Sequence, residues 1–103
     1  MKKVTDETLM SFVEKHDNVI LDVYAEWCSP CKPVAKHLKK LEKEMPDITF
    51  AKMDVDDNKL PSEHFKVFGV PTIIIFKGGE ALGSFGAGNM GIDKLRKEIR
   101  RQF

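Results

Sequence analysis

Apolar residues recur along this chain at two spacings, and the points where one spacing gives way to the other outline its elements. In "VTDETLMSFVEKH", Leu9, Phe12 and Val13 fall on one helical face, which predicts a first helix with Thr5 as its N-cap. Asp6 and Glu7 then lie in the first turn, where the positive end of the helix dipole favours acids. "NVILDVYA" is β-branched and almost wholly apolar, the pattern of a strand covered on both faces. "PVAKHLKKLEKEM" returns to helical spacing, with Val34, Leu38, Leu41 and Met45 on one stripe and Pro46-Asp47 as its stop. "ITFAKMDVD" predicts a second strand, and residues 58–68 a short helix interrupted by Pro61 and closed by Gly69. "TIIIF" predicts a third strand. Gly78-Gly79 signals a hairpin into a fourth strand near Ala81 to Phe85. A last helix sets Ile92, Leu95, Ile99 and Phe103 on one face. The order is α-β-α-β-α-β-β-α, which implies an α/β fold with a mixed sheet and helices on both faces. Lys2 to Val4 offers at most a stub of a further strand, so the sheet has four or five strands.

Composition changes this picture little. With 103 residues the chain is long enough for one domain, residues 1–103. Its 42% hydrophobic and 32% charged residues suit a globular protein rather than a disordered one. No apolar run reaches the roughly 18 residues of a membrane span. "MKKVTDETLM" lacks the apolar stretch of a secretory signal, and "IRRQF" carries no retention or lipidation signal. Net charge is +1. The basic runs Lys32 to Lys43 and Lys94 to Arg101 are interleaved with apolar residues at helical spacing, so they read as solvated helix faces. Nucleic-acid binding is not expected, because it needs a basic stripe with aromatics among it.

The candidate chemistry is concentrated in "AEWCSPCK", which holds both cysteines beside the single tryptophan. A zinc site needs two more ligands, and His16, His37 and His64 stand at no finger-like spacing. Haem attachment needs histidine directly after the second cysteine, where Lys32 stands. A purely structural disulfide would close so short a loop that it removes little chain entropy. Redox catalysis fits best. The pair follows a buried strand and precedes an amphipathic helix, so the first cysteine should sit at a helix N-terminus. There free backbone N–H groups and the helix dipole stabilise a thiolate, the species that attacks disulfides.

The segment "ILDVYAEWCSPCK" resembles the active site of thioredoxins, and "FGVPTIIIFKGG" resembles their later loop and hairpin. The likeness runs from about Thr5 to the last helix and implies a thioredoxin fold. By this resemblance Cys28 is the attacking nucleophile and Cys31 the resolving thiol, joined as a redox-active disulfide when oxidised. Asp22 has two readings. An acid within "VILDVYA" could mark an edge or loop. The resemblance instead buries it beneath Cys31, where burial raises its pKa and lets it accept the Cys31 proton through a water. Lys52 is either a snorkelling surface lysine or the neighbour of that carboxylate. Trp27 is either a core aromatic or part of an apolar contact surface, which Ser29, Pro30, Val70, Pro71, Gly86 and Ala87 would complete. The resemblance makes Val70–Pro71 a cis bond facing the disulfide and turns the Val70 backbone outward to a substrate strand.

The chain also departs from the usual family pattern. Ser29 stands where glycine is most common, and Lys36 stands where many members have a helix-kinking proline. Pro33 has moved into the first turn, where its missing N–H is harmless, so a straighter helix is expected. The resemblance implies a protein-disulfide reductase with no bound cofactor or metal. It would act as a monomer in the cytoplasm on disulfide-containing proteins and be recycled by a flavoprotein thioredoxin reductase fed by NADPH. Two rival readings are a glutaredoxin-like, oxidase or isomerase activity, and a binding module on the same fold.

Overall fold

Strands that are apolar on both sides need cover on both sides, and the chain places them centrally. In the computed structural model, which describes residues 1–103, the strands are β1 (Lys2–Lys3), β2 (Asn18–Tyr24), β3 (Thr49–Asp54), β4 (Thr72–Lys77) and β5 (Glu80–Gly86). They lie in the order β1-β3-β2-β4-β5. β1 and β2 run parallel to β3, while β4 is antiparallel to both β2 and β5, so the sheet is mixed. The helices are α1 (Leu9–Lys15), α2 (Cys31–Glu44), α3 (Leu60–Glu63) and α4 (Ile92–Gln102).

The period-two alternation of strand side chains divides the core into two layers. Ile20, Phe50, Ile73 and Ile75 point to one face, where α2 adds Val34, Leu38 and Leu41 and α4 adds Leu95 and Ile99. Val19, Leu21, Val23, Ala51, Met53, Ile74 and Phe76 point to the other, where α1 adds Leu9 and Val13. The hairpin forms as the sequence predicts. Gly78 and Gly79 take φ of 61° and 86°, values open to glycine at little cost, and Lys77 pairs with Glu80 across the two-residue turn. The stub at the start of the chain does form a strand. Val4 is buried and its N–H donates to the Lys52 carbonyl at 2.9 Å, which holds β1 on the sheet edge.

Three expectations need correction. The regular first helix starts at Leu9 rather than after Thr5; Thr5 to Thr8 form a turn closed by Thr8 N–H donating to the Thr5 carbonyl at 3.1 Å, with Thr5 N–H donating to Thr8 Oγ1 at 2.8 Å. The Asp6 carboxylate, expected to favour its own helix dipole, caps a different helix. It accepts from Lys59 N–H at 2.8 Å and Leu60 N–H at 3.0 Å, at the start of α3. The predicted helix over 58–68 shrinks to Leu60–Glu63. Lys66 adopts φ 58°, a left-handed conformation that takes the chain out of helix and lets Val67 turn into the core. Because Asp6 ties two distant segments, Asp6→Ala should cost about 1 kcal/mol and lower Tm by roughly 4–8 °C. Thermal unfolding checks this, and an unchanged Tm would show that the cap carries no weight.

Candidate active site

β2 enters the site buried, leaves it at Tyr24, and hands the chain to a short loop before α2. Cys28 N–H donates to the Ala25 carbonyl at 3.2 Å, and Cys31 N–H donates to the Cys28 carbonyl at 3.3 Å. These turns place Cys28 and Cys31 at a Cα–Cα distance of 5.4 Å, within the range of a disulfide, and the two sulfurs are bonded. Both residues are buried in a small cluster with Ala25, against which Tyr24, Val55 and Val70 pack. The expected helix N-terminus is there, with one change. Cys31 is itself the first helical residue and Pro30 the N-cap, so Cys28 stands just ahead of the helix. The first-turn donors are not free. Lys32 N–H donates to the Ser29 carbonyl at 3.2 Å, the Cys31 N–H is taken as above, and Pro33 has none. The helix dipole and not a ring of unpaired N–H groups is therefore what favours a thiolate here.

Asp22 is not at an edge. It lies in the central strand β2, 1% exposed, in register with Lys52 on β3 and Ile73 on β4. Its Oδ1 has no hydrogen-bond partner. A cavity of about 170 Å³ is lined by Asp22, Cys31, Lys52, Tyr24, Glu26 and Lys39, among others, and has room for water between the carboxyl and the second cysteine. Burial raises the Asp22 pKa from 3.8 to about 7, because removal from water disfavours the charged carboxylate. The Lys52 ammonium opposes this and holds the value down. Lys52 Nζ also lies 5.8 Å from the centroid of the Tyr24 ring, whose own pKa is raised, first by burial and then by Asp54. Lys52 thus lines the same cavity as the Asp22 carboxyl and acts on it through its charge, with no salt bridge between them.

Trp27 is not core. It is 70% exposed, and its indole Nε1–H donates to Asp56 Oδ2 at 2.8 Å. Ser29 and Pro30 are exposed on the same loop. The Val70–Pro71 peptide bond is cis. Neither Val70 N–H nor Val70 C=O takes part in any of the backbone hydrogen bonds, so both are open to a partner.

Gly86 is exposed at the end of β5, but Ala87 is fully buried in the core layer under α2 and α4. Alternation explains the difference: Phe85 and Ala87 face inward, and Gly86 faces out. The Ala87 side chain therefore cannot contribute to a contact surface, while its N–H fixes the loop by donating to the Pro71 carbonyl at 3.1 Å. Two residues were missed. A Cβ on Gly88 would lie 3.7 Å from Pro71 and 4.0 Å from Pro30, so this glycine sits where the three loops converge. Asp56 holds the Trp27 ring, and only the spacing of 29 residues between them hid that.

The assembled site is a dithiol–disulfide couple at a helix start, with a buried carboxyl behind it and an apolar rim in front. A thioredoxin family model matches residues 1–101. Thioredoxin of Chlamydia pneumoniae is 37% identical over 79 residues, covering 77% of this chain and 76% of that protein. Mitochondrial thioredoxin-3 of Saccharomyces cerevisiae is 33% identical over 99 residues, covering 94% of this chain and 78% of that protein. The X-ray structure of Fasciola hepatica thioredoxin superposes with a TM-score of 0.83 at 31% identity, covering 100% of both chains. The chain belongs to the thioredoxin family and is a dithiol–disulfide oxidoreductase that needs no cofactor beyond its own Cys28–Cys31 disulfide.

Proposed function

We propose that residues 1–103 act as one unit that reduces protein disulfides, with Cys28 as nucleophile, Cys31 as resolving thiol and Asp22 as the proton acceptor for Cys31. In the reduced protein, the Cys28 thiolate attacks one sulfur of the substrate disulfide. A Cys28–substrate disulfide forms and one substrate thiolate leaves. Cys31 then gives its proton to the Asp22 carboxylate through water, and its thiolate attacks Cys28 Sγ. The second substrate thiolate leaves, two electrons have passed to the substrate, and Cys28–Cys31 is oxidised. The supporting observation is the shared cavity: the unpartnered Asp22 carboxyl and Cys31 line one space, and a pKa near 7 lets the carboxyl take and release a proton at neutral pH. Lys52 tunes that carboxyl and is not itself a reactant.

The substrate meets the face made by Trp27, Ser29, Pro30, Val70 and Gly86, with the buried Pro71 beneath it and Gly88 leaving room for its backbone. Open N–H and C=O groups at Val70 suit pairing with an extended segment of the substrate protein. A flavoprotein thioredoxin reductase drawing on NADPH returns the two electrons, and a monomer in the reducing cytoplasm is the working setting. One relative carries a mitochondrial name, which makes a fluorescent fusion the direct check on compartment.

Insulin-type disulfide reduction, driven by NADPH with a panel of flavoprotein reductases, tests the reading. Turnover with at least one reductase and a reduction potential near the roughly −270 mV general to thioredoxins are expected. A potential of about −120 to −180 mV would make the protein an oxidant or isomerase instead.

A further inference from the structure

Large apolar side chains are mostly withdrawn from water, yet two aromatic rings stand exposed beside the redox disulfide: Trp27 at 70% and Phe68 at 81%. Single exposed apolar residues are ordinary, as Met10 on α1 and Leu82 on β5 are here. Trp27 and Phe68 differ because they line one groove of about 250 Å³, with Val55, Val67 and Val70 also in its walls. Val55 and Val70 pack at the same time against the cluster that holds Cys28 and Cys31. The groove is therefore continuous with the disulfide, and a polypeptide whose sulfur reaches Cys28 lies alongside it.

We propose that Phe68 determines substrate specificity: with Trp27 it forms a subsite for an apolar side chain, such as leucine or phenylalanine, close to the reacting cysteine of the substrate polypeptide. The proposal rests on the docking face described above and deepens it. The indole N–H is tied to Asp56, so the ring is held in place before the substrate arrives and little freedom is lost on binding. Lys66 at φ 58° ends the α3 segment and sends Val67 inward, which leaves Phe68 facing outward at the mouth of the groove.

The test uses two disulfide-linked peptides that differ only in a residue within two positions of the cysteine, leucine in one and serine in the other. The wild-type protein should reduce the leucine peptide with a kcat/KM about tenfold higher, the scale set by an apolar pocket. Phe68→Ser should bring the ratio close to one, and Phe68→Leu should keep most of it. Because the readout is a ratio within each variant, a general loss of activity cancels. A wild-type ratio near one, or a ratio that Phe68→Ser leaves intact, overturns the subsite while the reductase reading stands. So does sedimentation showing that the groove is filled by a second copy of the chain. Wild-type protein that reduces neither peptide removes the reading beneath the proposal, and the proposal with it.

Discussion

Cys28→Ser is expected to lower insulin-disulfide reduction by at least about a thousandfold, because it deletes the atom that attacks. Cys31→Ser should fail differently. Its Cys28 remains able to open a substrate disulfide, but nothing displaces the product, so the protein stops after one event as a covalent adduct. Mass spectrometry without reductant should find one substrate per protein with Cys31→Ser and none with Cys28→Ser. The asymmetry follows from position. Cys28 stands ahead of the helix in the exposed-rim loop, while Cys31 is the first helical residue and faces the Asp22 cavity. Adducts formed equally through either cysteine would end the assignment of roles.

Asp22→Asn should stabilise the oxidised protein at pH 8 relative to pH 4. The folded-state pKa of Asp22 is raised from 3.8 to about 7, chiefly by burial. Between those values the folded chain holds a proton that the unfolded chain has released, so stability falls as pH rises through this window and levels off above it. The full loss across the window is at most about 4 kcal/mol. Asparagine cannot ionise, so its variant escapes this loss. Its buried amide costs something at every pH, which makes the difference between pH 8 and pH 4 the quantity to read from denaturant curves. A relative gain of about 2–4 kcal/mol is expected. Equal effects at both pH values would mean that the carboxyl does not change its charge in this window. Lys52→Ala should push the transition to higher pH, because the ammonium that favours the carboxylate is gone. In the reaction, Asp22→Asn should slow resolution of the mixed disulfide by about tenfold or more, since a positioned base generally contributes about 10²–10⁴ and here acts through water.

The alternation of strands and helices, the two-glycine hairpin and the place of the two cysteines could be read along the chain, because each is a local pattern: a period, a turn residue, a spacing. The resemblance to a known family supplied Asp22, Lys52, Trp27, Val70 and Pro71 as candidates, and the first three of these had a duller reading that the local sequence could not dismiss. Folding decided between them. Asp22 is buried because β2 is the middle strand of five, with β3 and β4 on either side and α2 above, and no residue near it in sequence records that. Trp27 is outside because its loop crosses the end of the sheet and Asp56 holds its indole.

Local rules misassigned Asp6 for the same reason. An acid near a helix start is expected to serve that helix, but the chain brings the start of α3, more than fifty residues later, within reach of the carboxylate. Ala87 looked like a member of the contact surface until strand alternation turned it inward. By itself the sequence determined the elements, the sulfur chemistry and the family, since these depend on neighbours along the chain. The tertiary structure alone decided which carboxyl lost its water, which aromatic rings kept theirs and which groove adjoins the disulfide, because solvation is set by what packs against a group from distant parts of the chain.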